Sequence, residues 1–76
     1  MKNIYSDEYI HIISNLRNVR IQKHITQNEL ASILGVHQSF VSKVENRERR
    51  LDVVEFLSWI DALDVTINAI IPRKYI

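Results

Sequence analysis

The stretch that decides the fold is TQNELASILGVHQSFVSKVE, residues 26–45. Thr26 followed by Glu29 fits a capping box, which predicts that a helix begins here. Gly35, the only glycine in the chain, falls where that helix must end and where the backbone needs a positive φ. Apolar residues recur at helical spacing on both sides of this glycine. They predict two short helices joined by a turn, the second covering residues 37–45.

The second of these helices carries polar side chains on its outward face. Its apolar residues Phe40, Val41 and Val44 recur at helical spacing and face the rest of the chain. The outward positions hold Gln38, Ser39, Ser42 and Lys43. Amide, hydroxyl and amine groups on one helix face are well suited to the base edges of a DNA major groove. The stretch therefore predicts a DNA-binding helix.

Helices are also predicted on both sides of this pair. Ser6 is a suitable N-cap for a first helix that runs to about Lys23. Asp52 is expected to cap a fourth helix, which carries a broad apolar stripe. The 76 residues are too few for more than one domain. We expect an all-α protein, a compact bundle of four to five short helices with its core over about residues 7–65.

The C-terminal segment, residues 66–76, is predicted to serve dimerisation. Residues 65–71 are rich in β-branched side chains that partly alternate, which favours a short strand. Alternatively, Thr66 caps one last helical turn that ends at Pro72. A strand here would need a second subunit to complete its hydrogen bonds. The predicted interface combines apolar residues of the fourth helix and of the tail, namely Phe56, Trp59, Ile67, Ile70 and Ile71.

Composition narrows the class of protein. The chain has no cysteine, which excludes a disulfide framework and a cysteine-based metal site. Its three histidines are too far apart in sequence for a metal-ligand pattern, so we expect no metal and no cofactor. Neither a secretory leader nor a run near the roughly 18 apolar residues of a membrane span is visible. We therefore expect a cytoplasmic protein without a membrane partner.

The net charge of +1 conceals a polarity along the chain. Residues 17–50 hold seven basic and three acidic side chains, whereas residues 51–64 hold four acidic and no basic ones. The basic segment coincides with the predicted DNA-binding helices and the loop after them. This separation of charge attracts a polyanion to one side of the molecule. Alternatively, the charged side chains only solvate the surface.

Many positions in and around the opening stretch fit one pattern. They are Leu16, Arg17 and Arg20, then Thr26, Gln27, Glu29, Leu30 and Ala31, then Gly35 and Val36, then residues 38–46. In these positions the chain resembles the lambda-repressor-like, Xre/Cro-type helix-turn-helix family, over about residues 10–65. The resemblance implies a helical bundle that binds operator DNA as a dimer. It also implies that the second helix of the motif lies in the major groove, with the first across it.

The resemblance further implies which side chains touch double-stranded DNA. The base-reading positions are His37, Gln38, Ser39 and Lys43. The positions expected at phosphates are Gln27, Arg17, Ser42, Asn46, Arg47 and Arg49. Gln27 is also expected to steady the recognition side chain. Gln38 is suited to adenine and Lys43 to guanine. Each such contact between a side chain and a base favours the correct base over the others by about 1–3 kcal/mol. Alternatively, Lys43 contacts only phosphate, and His37 only caps its helix. Phe40 is either a core residue or a ring against a thymine methyl group.

Two further expectations come from the same resemblance. Arg20 and Glu45 fill positions where family members pair an arginine of the first helix with a glutamate that ends the recognition helix. We expect this structural ion pair to be partly buried. Many members have a glycine where this chain has Arg47, so we expect Asn46 to take the left-handed conformation. Arg49 is expected at a phosphate, or else paired with Glu48 or Asp52.

The leading interpretation is a sequence-specific DNA-binding transcriptional regulator, a small dimeric repressor or controller that reads a palindromic operator through residues 37–45. The first alternative is an antitoxin that represses its own operon, with a toxin docked on the apolar surface of Phe56, Trp59 and residues 67–71. The second is a helical protein-interaction module without DNA binding. We predict no enzymatic activity, because there is no thiol, no glycine-rich phosphate loop and no poised carboxylate pair.

Overall fold

The four predicted helices are all present in the structure. They are α1 (Asp7–Gln22), α2 (Gln27–Leu34), α3 (Gln38–Glu45) and α4 (Val53–Leu63). The computed structural model describes residues 6–76, and in that range it forms helices and turns without any strand. The predicted all-α bundle of four to five helices is therefore confirmed. The first and third helices differ from expectation by one residue each, since α1 ends at Gln22 and α3 begins at Gln38.

Side-chain caps fix where three of the helices begin. The Ser6 hydroxyl accepts the Tyr9 backbone N–H at the start of α1. The predicted capping box is present at α2, where Thr26 and Glu29 accept each other's backbone N–H groups. The same arrangement joins Asp52 to the third residue of α4. Each such cap stabilises a helix by about 1 kcal/mol, so these starts are largely determined by local sequence.

The core lies where the apolar faces of the four helices meet. Ten hydrophobic side chains are buried there: Ile13, Leu16, Leu30, Ala31, Val41, Val44, Trp59, Ile60, Leu63 and Ile70. α2 packs against both α3 and α4, while α1 lies across α3 and α4. This packing holds α3 from behind and leaves its N-terminal end at the surface.

The prediction of a C-terminal strand is wrong. Ile67–Ala69 forms a 3₁₀-helical turn, and a second such turn covers Arg73–Tyr75. The segment is held inside the subunit, because Ile70 is fully buried and its carbonyl accepts a 2.9 Å hydrogen bond from the Asn15 side chain. The alternative of one last turn after Thr66 matches the structure, although the Thr66 side chain makes no capping hydrogen bond.

The same burial corrects part of the predicted dimer interface. Trp59 is 1% exposed and Ile70 is 0% exposed within the single chain. A side chain with no exposed area has nothing to offer a second subunit, so both residues belong to the core instead. Ile67 is exposed, and Phe56 and Ile71 are partly exposed.

A lysine at the end of α1 ties that helix to the end of α4. The ammonium group of Lys23 donates to the carbonyls of Leu63 and Asp64 at 2.7 and 2.8 Å. Asp64 has a φ of 52° there, the left-handed conformation that ends the helix. The last carbonyls of a helix lack partners within it and carry partial negative charge, so a cation stabilises them. Within residues 6–76, no helix is long and apolar enough to cross a membrane.

Candidate nucleic-acid interface

The turn between α2 and α3 has the geometry that the lone glycine predicts. Gly35 has a φ of 71° and a ψ of 32°, which is the left-handed conformation. Its N–H group and that of Val36 bond back to carbonyls in the last turn of α2. The chain then enters α3 with Val41 and Val44 fully buried and with Gln38 exposed. Sequence alone therefore determined which face of α3 points outward.

A chain of hydrogen bonds runs from the core to the exposed start of α3. Arg20 donates from Nε and Nη2 to the two carboxylate oxygens of Glu45, at 2.7 and 2.9 Å. Glu45 Oε1 also accepts from Gln27 Nε2 at 3.0 Å. Gln27 Oε1 in turn accepts from Gln38 Nε2 at 2.7 Å. The three helices α1, α2 and α3 thus meet in one polar network that ends on a predicted base-reading side chain.

The buried carboxylate fixes the orientation of both amides in this network. An ionised carboxylate only accepts hydrogen bonds, so Gln27 must turn its NH₂ group toward Glu45. Its carbonyl oxygen then faces Gln38, which must donate. One N–H and the carbonyl oxygen of Gln38 remain for an outside partner. A donor beside an acceptor is the pattern that pairs with the N7 and N6–H edge of adenine.

The Arg20–Glu45 ion pair is present and is more deeply buried than expected. The Arg20 side chain is 10% exposed and that of Glu45 is 2% exposed. The third guanidinium nitrogen of Arg20, Nη1, donates to the Ile25 carbonyl at 2.8 Å. The pair therefore braces α1 against the end of α3 and also holds the short connection into α2.

The other predicted base-reading residues lie at the surface near Gln38. His37 immediately precedes α3 but makes no side-chain capping bond there. Instead, its ring nitrogen Nδ1 lies 3.4 Å from the Ser39 hydroxyl. Lys43 is exposed one turn further along, beside the partly buried Ser42. The surface of α3 brings His37, Ser39 and Lys43 together with Gln38, and their contact with bases remains a prediction, as does the contact of Ser42 with a phosphate.

The loop after α3 differs from the predicted path at one residue. Asn46 has a φ of −84°, and Arg47 takes the left-handed conformation with a φ of 61°. The Asn46 N–H group still bonds to the Ser42 carbonyl, so Asn46 continues the helix. The chain reverses one position later, at Arg47, where many members of the family have a glycine. The prediction for Asn46 was therefore wrong.

Arg49 is held by a partner that the sequence did not predict. Its Nη1 donates to Glu55 Oε1 at 2.6 Å, and its guanidinium lies 4.5 Å from the centre of the Phe40 ring. The hydrogen bond from Arg49 holds the pKa of Glu55 below its ordinary value, and the pair raises the pKa of Arg49. The expected pairing with Glu48 or Asp52 was wrong. Asp52 followed by Glu55 is itself a capping-box signal, and it would have shown where this carboxylate lies.

A tyrosine of α1 anchors the other side of the basic loop. The Tyr9 hydroxyl accepts the Leu51 backbone N–H at 3.1 Å, and the Arg50 guanidinium lies 5.2 Å from the centre of its ring. The loop is thus tied to α1, α3 and α4 while its arginines stay near the surface. No group of three His, Asp or Glu side chains in the described part of the chain is arranged to hold a metal ion.

Comparison with known proteins agrees with this geometry. A family model described as helix-turn-helix matches residues 16–70, which is most of the chain. The chain belongs to the helix-turn-helix family. It is 25% identical over 63 residues to the control protein C.SmaI of Serratia marcescens, covering 83% of this chain and 75% of the relative. Its fold matches the crystal structure of the restriction-modification controller protein C.AhdI from Aeromonas hydrophila with a TM-score of 0.73 and 30% identity.

The match to C.AhdI covers 80% of this chain and 92% of that protein. The fold, the family and the polar outer face of α3 lead to one function. The protein is a helix-turn-helix regulator of transcription that binds DNA sequence-specifically. The assignment of individual side chains to bases and phosphates remains a prediction.

Proposed function

We propose that this regulator is the controller protein of a restriction–modification system, acting as a homodimer on a palindromic operator. The observation that carries the proposal is the match to the controller protein C.AhdI across 92% of that chain. A protein that binds operator DNA acts where the DNA is, so we place it in the cytoplasm. The prediction that it has no enzymatic activity belongs to the same proposal.

In this proposal, α3 enters the major groove with its N-terminal end toward the bases. Gln38 reads adenine with its orientation fixed by Gln27 and Glu45, and the neighbouring surface residues of α3 add further contacts. The carboxylate of Glu45 is shielded from DNA phosphates because its charge is paired with Arg20. Repulsion between a buried anion and the polyanion is thereby reduced.

The apolar face of α4 is the surface that best fits a second subunit. Val53, Val54 and Leu57 are exposed by 74%, 72% and 42%, and Val53 and Leu57 line an apolar groove of about 370 Å³. Partly exposed Phe56 and Ile71 line that groove. Several large apolar side chains together mark an interaction surface. A two-fold axis through this face would bury the same surface of both copies against each other.

The test begins with selection of bound sequences from a random DNA library. We expect a palindrome whose half-sites lie about 10 base pairs apart, one helical turn of DNA. Gln38→Ala should weaken binding to the selected site by about 5- to 150-fold, which corresponds to 1–3 kcal/mol, and should leave binding to random DNA nearly unchanged. Gln22→Ala is the matched control, because Gln22 is an exposed glutamine at the far end of α1.

The dimer is tested separately by sedimentation equilibrium. Leu57→Glu should shift the protein toward monomer and weaken operator binding. The control is Ile33→Glu, since Ile33 is 59% exposed on α2, outside the α4 face. A non-palindromic site bound by a monomer would contradict the dimer. The antitoxin alternative would be favoured if the protein alone were a monomer that binds the operator weakly and a second protein from its own operon made this binding tight. The toxin would then occupy the same α4 face.

A further inference from the structure

The start of α3, where the predicted base-reading side chains lie, lacks a restraint that the starts of the other helices have. Of the four α-helices in residues 6–76, α3 alone begins without a side-chain cap. The first N–H groups of a helix have no partner within it, and a cap both satisfies them and fixes where the helix begins. Gln38 and Ser39 are exposed at this start. Their positions therefore depend on contacts made by neighbouring residues.

Core packing holds this end of α3 only in part. A groove of about 130 Å³ lies between the α2–α3 turn and α4, and its lining consists of Leu34, Val36, Phe40, Glu55, Ser58 and Trp59. Phe40, the third residue of α3, is half-buried, whereas Val41 and Val44 further along are fully buried. Open space beside a side chain removes contacts that would otherwise hold it. The core alone therefore leaves the Phe40 ring room to move.

A guanidinium group of the loop after α3 closes over this ring. The Cζ atom of Arg49 lies 4.5 Å from the centre of the Phe40 ring, a distance at which a cation is attracted to an aromatic face. The backbone N–H group of Arg49 also bonds to the Lys43 carbonyl at 3.3 Å. One loop residue thus contacts the first turn of α3 through Phe40 and the last turn through Lys43.

Glu55 anchors that guanidinium on α4. Its Oε1 atom accepts from Arg49 Nη1 at 2.6 Å and from the Asp52 backbone N–H group at 2.9 Å. The same Nη1 atom donates to the Arg50 carbonyl at 2.7 Å. An exposed ion pair contributes little to stability by itself. Here, however, the carboxylate belongs to the cap of α4 and the cation lies over a ring of α3, so the starts of the two helices are joined.

We propose that Arg49 is a positioning residue for the base-reading end of α3, acting through Phe40 and Glu55 in place of a contact with phosphate. The proposal rests on the proposed function, in which α3 lies in the major groove. Phe40 directly follows Gln38 and Ser39, so movement of its ring turns the first turn of α3 and shifts both side chains. Hydrogen bonds to bases discriminate only when donor and acceptor are aligned. Arg49 therefore acts on sequence specificity, and not on the salt-dependent attraction to DNA.

The experiment measures the specificity ratio of the full chain, which is the affinity for the selected site divided by the affinity for random DNA. Arg49→Gln should lower this ratio by about 2- to 30-fold, the factor that corresponds to the strength of a cation over an aromatic ring. The slope of log K against log salt on random DNA should equal that of wild type, because no phosphate contact is lost. A slope reduced by about 1 would make Arg49 a phosphate ligand and overturn the proposal. Arg73→Gln removes the same charge from the tail and should leave the ratio unchanged.

Glu55→Gln distinguishes the two roles of Arg49 by the direction of the effect. Glutamine also serves at the third position of a capping box, so the start of α4 is retained while the ion pair is lost. If Arg49 positions α3, the specificity ratio should fall as it does in Arg49→Gln. If Glu55→Gln instead tightens binding to all DNA and leaves the ratio unchanged, the freed guanidinium binds phosphate and the proposal is overturned. Asp61→Asn is the matched control, because it removes one negative charge from an exposed position of the same helix.

A double-mutant cycle tests whether the effect passes through Phe40. Phe40→Leu removes the aromatic ring and keeps an apolar side chain. Combined with Arg49→Gln, it should lower the specificity ratio no further than the larger of the two single effects. Additive losses would show that the two residues act independently, which would overturn the route through Phe40.

Amide hydrogen exchange of the free protein gives a second measurement that needs no DNA. In Arg49→Gln the amides of Val41 and Ser42 near the start of α3 should exchange about 2- to 30-fold faster, while that of buried Leu16 in α1 keeps its rate. Equal acceleration of all three would show a general loss of stability and overturn the positioning role. If wild-type protein selects no DNA site, the proposed function fails and the positioning role fails with it. If wild type selects a site and Arg49→Gln retains the wild-type ratio, only the positioning role fails.

Discussion

Replacing Glu45 by alanine should reveal how much of the stability depends on the buried ion pair. The substitution leaves the Arg20 guanidinium with a single bond, to the Ile25 carbonyl, and removes the acceptor of Gln27. Breaking a buried pair from one side costs about 3–5 kcal/mol, because the remaining charge is uncompensated. The Arg20 side chain keeps 10% exposure, so water reaches it and the lower limit, about 3 kcal/mol, applies.

That loss is large for a chain of this size. At 0.05–0.15 kcal/mol per residue, 76 residues have a free energy of unfolding of about 4–11 kcal/mol. A loss of about 3 kcal/mol should lower Tm by roughly 12–24 °C. Trp59 is the only tryptophan and is 1% exposed, so its fluorescence reports unfolding in urea without any added probe. An unchanged m-value would show that the variant unfolds in the same cooperative step.

The controls separate burial of the pair from charge alone. Lys74→Ala breaks an exposed ion pair with Glu8 and should leave the urea midpoint nearly unchanged. The double variant Arg20→Met with Glu45→Leu replaces both charges by apolar groups, and it should recover most of the stability lost in Glu45→Ala. A loss below about 1 kcal/mol in Glu45→Ala would refute the reasoning. A double variant less stable than Glu45→Ala would refute it as well.

Two other predictions concern stability. Lys23→Met removes both hydrogen bonds to the carbonyls of Leu63 and Asp64. It should lower the free energy of unfolding, measured in urea titrations, by about 1 kcal/mol. An unchanged urea midpoint would show that the C-terminus of α4 is not stabilised by this cation. Because Arg49 lowers the pKa of Glu55, this contribution to stability is complete above the ordinary pKa of about 4.3 and is lost as the pH falls through the lowered value. Thermal midpoints measured from pH 6 to pH 2 should therefore fall less steeply in Arg49→Gln than in wild type, and parallel curves would contradict the pairing.

Most of the fold could be predicted because its signals are local. A capping box joins residues three apart, so Thr26 and Glu29 determine the start of α2 whatever surrounds them. A glycine at a helix end reports a backbone conformation that other residues disfavour, so Gly35 determined the turn. The period of the apolar residues determined which face of α3 is buried and, through it, that Gln38 points outward.

The arrangement of the candidate site depended on contacts distant in sequence. The family resemblance implies that Gln27 steadies a recognition side chain, but nothing near Gln27 in the sequence indicates that Glu45 orients it in turn. Pairs of this kind depend on how helices pack, and a local pattern carries no information about that distance.

The sequence by itself determined the four helices, the turn at Gly35 and the DNA-binding character of the outward face of α3. Only the tertiary structure decided the tail and the loop. Residues 65–71 suit a strand by propensity, but Ile70 finds a place in the core and the segment turns back onto α1. The loop reverses at Arg47 because Asn46 still completes a helical hydrogen bond. Burial and hydrogen bonding across the fold outweigh local preference at these positions, since each local preference is worth no more than about 1–2 kcal/mol.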